Sequence, residues 1–399
     1  MSLPSGTPFV VFGDDWGRSV STMQHVFRHI AARYPVLWLN GIGHRVPRLR
    51  TRDLRRAWEK LRAMAGPAPR PAPIPDRLGG AVPAAILEPR VLPWHHRRAV
   101  YAFNTAVLLR TIRRGLRRLE LDRPPVLVTG SPPSAGVVGR LGELASVYYC
   151  MDDFLHFPTV EAAMIAPLER QLLERVDLMV ATAASLTETK VPRSGRVHHL
   201  PQGVNYDHFA EPMPVPDDLS GLPGPRIGFA GSVSTQCDVD VMVQLAEAHP
   251  NGSLVLVGPV SLGDGALARL RRPNVHFLGV RPYDQLPAYV QHVDVGIIPY
   301  VLSGWTKAVD PLKALEYLAA GIPVVMSDIP EARKYGDVAA VTSSAEGFVA
   351  AVAAALTRDR VAGRERGRAF ARRHTWAHRA EEFLALIERI IAEKGGGTP

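Results

Sequence analysis

Lys313 and Glu316 lie three residues apart in a stretch, residues 310–328, that reads as a helix, a glycine stop and a buried strand. At that spacing an ammonium and a carboxylate share one helix face. Both fall in the first turns of the helix, where unpaired backbone N–H groups and the positive end of the dipole attract anions. Pro311 suits a first turn because its missing N–H would have no partner there. Leu312, Leu315 and Leu318 recur at helical spacing, and Gly321 followed by Pro323 ends the run. A lysine for phosphate charge and a carboxylate for sugar hydroxyls make this helix start a candidate holder of a nucleoside diphosphate. The competing reading is an i, i+3 ion pair on a solvated helix, a weak and common feature.

The surrounding elements alternate between strand and helix from end to end, which predicts parallel α/β architecture. In the first half the buried runs are residues 9–13, 36–39, 126–129, 146–150 and 178–181. Between them come a helix with Val20, Met23, Val26, Phe27 and Ile30 on one face, a long basic helix near residues 95–119, and a helix over 160–175. Residues 66–93, rich in proline and alanine, read as an irregular excursion. The pattern restarts at residues 226–230, followed by strands at 253–257, 275–278 and 293–298. The proline-rich stretch 211–225 reads as a linker. These signals predict an N-terminal Rossmann-like domain over 1–210 and a C-terminal one over 226–374. A last helix over 375–399 is placed to pack back on the first domain. Two such open sheets would face each other across a cleft lined by the carboxyl ends of their strands.

Composition narrows the function classes. The 399 residues are 46% hydrophobic and 21% charged, enough apolar material for true cores. No apolar run approaches the roughly 20 residues that span a bilayer, and the first nine residues lack a secretory pattern. Two cysteines, Cys150 and Cys237, fit a reducing cytoplasm rather than a disulfide framework. The net charge of +9 comes largely from arginines at 45–62, 97–118 and 358–373. Such a surplus suits phosphate-bearing partners, including an anionic membrane touched peripherally, as well as plain solvated helix faces. No zinc-finger or RNA-binding signature supports nucleic acid, and no G-x-G-x-x-G follows a strand, which argues against a nicotinamide dehydrogenase. His25 and His29 lie one turn apart without further ligand types nearby, so they read as surface histidines. Asp238 and Asp240 mimic a D-x-D metal motif but sit where an N-cap belongs. No metal and no cofactor are expected.

The second half resembles the GT-B nucleotide-sugar glycosyltransferases related to the retaining glycosyl transferases group 1, and looks closest to members of cell-envelope or polysaccharide assembly. The pieces that carry the resemblance occur in family order: residues 227–232, 254–259, 274–283, 286–289, 294–299 and 311–325. The turn at 200–209 is similar to the family's Pro-Asn-Gly-Val-Asp-x-x-x-Phe hinge. In the first half the likeness rests on residues 148–157 and 173–190. The resemblance implies a donor site in the C-terminal domain. Glu316 would take the ribose hydroxyls. Gly231 and Ser232 would let backbone amides approach the diphosphate. Lys313, Lys307 or Arg281 would stabilise the departing phosphate. In the family motif E-x7-E the first glutamate would fall on Ala308, so the usual donor-sugar carboxylate is missing; either Asp310, two residues out of register, substitutes for it, or the donor sugar is held differently.

On the acceptor side, Asp152 and Asp153 close a core strand and are candidates for a base or hydrogen-bond acceptor, with an Asx turn as the alternative. The loop holding Trp16, Gly17 and Arg18 follows the first strand and is a candidate acceptor contact. The expected activity is metal-independent transfer of a sugar from a nucleoside diphosphate to a glycolipid, a polysaccharide intermediate or a small molecule. A sugar-nucleotide epimerase of the same fold and a non-catalytic anion- or nucleic-acid-binding protein are the alternatives.

Overall fold

The computed structural model describes residues 3–18, 20–43, 80–157, 160–357 and 360–395. The chain forms two compact units, one made of Met1–Leu200 with Ala380–Pro399, the other of Pro201–Arg379.

Unit 1 is built on seven parallel strands in the order β3-β2-β1-β4-β5-β6-β7. They are β1 Phe9–Phe12, β2 Val36–Leu39, β3 Ala85–Leu87, β4 Val126–Thr129, β5 Ala145–Cys150, β6 Leu178–Ala181 and β7 Val197–His199. Every residue of β1, β2, β4, β5 and β6 is buried. That explains why these strands read as continuous apolar runs: a parallel sheet is covered on both faces. The covering helices include α1 Thr22–Ala31, α2 Arg98–Arg118, α3 Ala162–Leu173 and α4 Ala184–Thr189. Ser21 caps α1 by accepting from the Gln24 amide, and Met23, Val26, Phe27 and Ile30 face the sheet. The basic stretch 45–62 and the front of the proline-rich excursion lie outside the described residues; the rear of that excursion supplies β3.

Unit 2 repeats the plan with six parallel strands in the order β10-β9-β8-β11-β12-β13. They are β8 Arg226–Ala230, β9 Ser253–Val257, β10 Val275–Gly279, β11 Val295–Ile298, β12 Val324–Ser327 and β13 Ala340–Thr342. The helices before the last are α5 Tyr206–Ala210, α6 Asp217–Ser220, α7 Val239–Ala248, α8 Asp264–Leu270, α9 Leu286–Gln291, α10 Leu312–Ala320, α11 Ala345–Thr357 and α12 Arg360–Arg373. Counted from its own first strand this is the doubly wound order 3-2-1-4-5-6, and the order reverses between β8 and β11.

The segment 211–225 is not a linker: it belongs wholly to unit 2. Its prolines preclude long helices, yet Leu219 is fully buried in the unit's core. The Met213 amide donates to the Gln291 side chain at 2.9 Å, and the Ser253 hydroxyl donates to the Pro223 carbonyl at 2.8 Å. The last helix, α13 Trp376–Gly395, leaves unit 2 after Arg379. From Ala380 on it is part of unit 1, where Phe383 meets the rings of Phe27 and Tyr149. Arg33–Glu381, Arg196–Glu393 and Lys394–Asp177 ion pairs line its polar side. Among the described residues no helix is long and apolar enough to cross a membrane.

Candidate functional site

In an open doubly wound sheet the crevice forms beyond the carboxyl ends of the strands, where the strand order reverses. In unit 2 that edge is made by the loops after β8, β9 and β11. Three sets of backbone bonds tie those loops together: Gly231 and Val233 donate to the Val257 and Pro259 carbonyls, Asp238 donates to Pro299, and Val301 donates to Gln236. The helix α10 begins beside them. Its Tyr317 is buried and accepts from the Ala230 amide at 2.8 Å, which locks the end of β8 onto α10.

That lock brings Gly231 against Lys313. A Cβ on Gly231 would stand 2.1 Å from the Lys313 Cε and 2.7 Å from its Nζ, and the backbone there has φ +156°. Only glycine leaves the lysine its place. The ammonium donates to the Tyr300 hydroxyl at 3.2 Å and lies over the Phe229 and Tyr300 rings. Burial opposes its charge, but the Tyr300 phenol and the Glu316 carboxylate outweigh that, and the ammonium is held above its ordinary value. No carboxylate forms an ion pair with Lys313 among the described residues, so its charge is open to an incoming anion.

Glu316 is 9% exposed. Burial pushes its carboxyl up to about 7, and the Lys313 charge pulls it partly back. Among the described residues its oxygens accept no hydrogen bond and form no ion pair. A desolvated acceptor without a partner is costly, and a ligand hydroxyl would satisfy it. Of the two loop amides, that of Gly231 is spent on Val257 at 2.7 Å, whereas Ser232 makes no such bond among the described residues. Of the two, the Ser232 amide is therefore the one left for a ligand among the described residues.

The other expected donor residues are placed differently. Asp310 is buried and accepts from the Gln202 amide at 2.8 Å and the Tyr335 hydroxyl at 3.3 Å, with Lys334 at 2.6 Å. It is saturated by its own unit. Arg281 pairs with Asp218 and donates to the Tyr289 hydroxyl at 2.7 Å, lying over that ring. Lys307 is exposed in a short 3-10 turn, Thr306–Ala308, beside the buried Ala308. Asp238 accepts from the Asp240 and Val241 amides, so the D-x-D look-alike is an N-cap. Sequence reasoning missed Tyr300 and Tyr317, since a tyrosine near a strand end carries no pattern beyond core packing.

In unit 1 the candidate residues also follow strand ends. Trp16 is a core residue, 3% exposed, packed edge-on against Trp38 with its amide on Asn40. Gly17 donates to the Gln24 side chain, and Arg18 reaches into solvent beside Asp15. Asp152 is half-buried after β5. Asp153 is 14% exposed, and both its oxygens are engaged: Oδ1 by Lys190 at 3.0 Å and the Leu155 amide, Oδ2 by the His156 Nδ1 at 2.5 Å. Burial alone would raise the Asp153 carboxyl, but the bonds from His156 and Lys190 hold it below the ordinary carboxylate value. Neither Lys190 nor His156 was singled out in the sequence, because their link to Asp153 needs the turn and the sheet to exist. Among the described residues no group of three or more metal-ligating side chains could hold a metal ion.

Comparison with known proteins finds a family match over part of unit 2. Residues 224–358 match the model of the glycosyl transferases group 1. Over that stretch the chain is similar to the group 1 glycosyl transferases. It contains Gly231, Lys313 and Glu316, and its edges fall close to the limits of the sheet of unit 2. TuaH of Bacillus subtilis (strain 168), a protein named for teichuronic acid biosynthesis, is 33% identical over 179 residues, which is 43% of this chain and 45% of TuaH. The alignment thus spans less than half of that relative. Beyond that stretch, whole-chain likeness is structural. Anabaena HepE, solved with UDP and glucose, superposes with a TM-score of 0.65 at 12% identity, over 96% of this chain and all of that one. Sucrose-phosphate synthase from Thermosynechococcus elongatus gives 0.66 at 16% identity, over 97% and 100%. At such identities the likeness establishes the two-domain GT-B fold.

Proposed function

We propose that the protein is a glycosyltransferase that moves a sugar from a nucleoside diphosphate sugar bound at the β8/β11 edge of unit 2. The reading rests on one observation above all. Among the described residues Glu316 is an almost buried carboxylate that accepts no hydrogen bond, one helical turn from Lys313, whose ammonium forms no ion pair, at the point where the strand order reverses. Glu316 would take the ribose hydroxyls, while Lys313 and the Ser232 amide would meet the diphosphate. As the glycosidic bond to phosphate breaks, negative charge grows on the departing nucleotide. A fixed cation there stabilises that charge without reorganising.

The retaining, metal-independent course is the finer part of the proposal, as are a glycolipid, polysaccharide or small-molecule acceptor and a peripheral contact with an anionic membrane through α2. TuaH's name supports a cell-envelope acceptor. Lys307, Arg281 and Asp310 are proposed to frame the donor, and Asp152 and Arg18 to line the acceptor side. The test is a nucleotide panel: UDP, GDP and dTDP are titrated against the wild-type protein and Glu316→Ala, and release of free nucleoside diphosphate from the matching sugar nucleotides is followed. Tight binding of one nucleotide, weakened at least tenfold by Glu316→Ala, is expected. If no nucleotide binds, or Glu316→Ala binds equally well, the assignment fails. Scrambling of the sugar's configuration without an acceptor would indicate an epimerase instead.

A further inference from the structure

We propose that the outward face of α2, together with Trp94 in the turn before it, is a docking surface for anionic phospholipid. The inference rests on the preceding reading for a contact through α2, and it adds the side chains that make the contact and the lipid chemistry they fit. Every residue involved lies in unit 1.

The helix has two unlike faces. Asn104, Thr105, Leu108, Leu109, Ile112 and Gly115 are buried. A Cβ on Gly115 would stand 3.1 Å from methyl carbons of Leu37 in β2 and Leu87 in β3, so the backbone rests directly on the sheet. On the other side Ala99, Phe103, Arg110, Arg113 and Arg117 recur at spacings of three, four and seven residues and are all exposed. That is one stripe of an α-helix, and over 21 residues it runs for about 30 Å.

The front of the stripe is apolar. Phe103 is 48% exposed, and Trp94, at the start of the turn that leads into the helix, is 41% exposed. That turn is fixed in place. The Arg97 amide donates to the Trp94 carbonyl at 3.0 Å. The buried His95 donates from Nε2 to the Ile42 carbonyl at 3.1 Å, and the Asn104 side chain exchanges two hydrogen bonds with the backbone of Leu92. A built turn, tied to the core on both sides of Trp94, therefore keeps that ring in solvent.

The rear of the stripe is cationic. Arg98, Arg110, Arg113, Arg114, Arg117 and Arg118 are exposed, and residues 89–119 contain no Asp or Glu. A helix face that merely meets water mixes both signs, because opposite charges four residues apart stabilise it and like charges destabilise it. Here Arg110 and Arg114, Arg113 and Arg117, and Arg114 and Arg118 are like pairs at that spacing. Arg98 stands in the first turn, where the helix dipole disfavours a cation. Arg113 donates to the Arg140 carbonyl at 3.0 Å, and none of the six pairs with a carboxylate among the described residues. The repulsion is left uncompensated by the protein, and a surface of fixed negative charge would relieve it.

Lipid fits both ends of the stripe. Phosphate headgroups take the arginines, whose stems lie along the interface while the guanidinium stays hydrated. Trp94 and Phe103 enter the headgroup boundary, where aromatic rings are favoured. A nucleic-acid duplex would engage the arginines and leave both rings in water.

The test is sedimentation of the full-length protein with vesicles of phosphatidylcholine, with and without phosphatidylglycerol. Binding to the mixed vesicles, absent for phosphatidylcholine alone and weakened by salt, is expected. Arg110→Gln and Arg114→Gln should each lower partitioning about fivefold, less at high salt. Phe103→Ser should lower it about tenfold at any salt. Brominated phospholipid should quench tryptophan fluorescence in the wild type and much less in Trp94→Leu. All these side chains are exposed, so circular dichroism and nucleotide affinity should match the wild type. No binding to the anionic vesicles, or binding that the phenylalanine and arginine variants leave unchanged, overturns the inference and leaves the transferase reading intact. Release of the protein from vesicles by duplex RNA, with Phe103→Ser behaving as wild type, assigns the face to nucleic acid and overturns it too. Vesicle results as expected from a protein that binds no nucleotide would instead sink the transferase reading.

Discussion

Replacing Glu316 by glutamine should stabilise the protein while weakening its hold on the donor, and the size of the first effect follows from burial. The ordinary carboxyl value is 4.5 and the folded one about 7. At about 1.4 kcal/mol per pH unit, forcing this group to ionise in the folded state costs up to about 3 kcal/mol. The sign follows from the direction: the folded value lies above the unfolded one. Below about pH 4.5 both states are protonated and no penalty exists. As pH rises through about 7 the folded chain must ionise the group in its desolvated site, and stability falls. Glutamine has the same shape and no charge to desolvate. Urea unfolding of wild type and Glu316→Gln at about pH 5 and pH 8 should give nearly equal stabilities at the lower pH. At the higher pH the variant should be ahead by about 1–3 kcal/mol, the lower figure applying if water reaches the site. Nucleoside diphosphate affinity should move oppositely, about five- to tenfold weaker at pH 8, because hydrogen bonds to a charged acceptor exceed those to a neutral one. A variant no more stable than wild type at pH 8, or a difference that does not change with pH, refutes the burial argument.

Gly231→Ala should lose about 1–3 kcal/mol of stability to backbone strain and weaken nucleotide binding about tenfold or more, because the new methyl displaces the Lys313 ammonium; isothermal titration with the preferred nucleotide reads it. Asp310→Asn removes the carboxylate that holds Lys334 and the Gln202 amide. It should lower the unfolding free energy by about 3 kcal/mol, read by denaturant titration. Asp238→Ala deletes the cap of α7 and should cost about 1 kcal/mol; EDTA and added divalent metal should change neither parent nor variant in nucleotide binding, whereas a metal-dependent difference would contradict the capping role.

Much of the fold is legible in the chain because buried parallel strands leave an unmistakable trace. Strands at 36–39, 126–129, 178–181, 226–230 and 253–257 have the boundaries their apolar runs suggest. The weaker strands β3, β7 and β13 escape the pattern, since each is three residues long and only partly buried. Pro311 stands at the N-cap of α10 rather than inside its first turn. The proline-rich 211–225 shows the limit of composition: a linker and a docked segment share the same residues, and Leu219 is buried only because unit 2 offers it a place.

For the site, the sequence by itself determined the ingredients of the donor end. Lys313 and Glu316 are set three apart on a short helix, so local geometry alone puts them on one face. Gly231 at the end of a strand had to mark a close approach. Which atom approaches was a tertiary decision: the lysine fills the space beside the glycine, a contact across 82 residues of chain that no local rule encodes. Tertiary structure also decided which candidates keep free valences. It tied Asp310 to Gln202, Arg281 to Asp218 and Asp153 to Lys190, buried Trp16 in the core, and left Glu316 with no hydrogen-bond partner among the described residues. Charge state and availability depend on burial and on neighbours brought by the sheet, whereas spacing along a helix depends only on the chain.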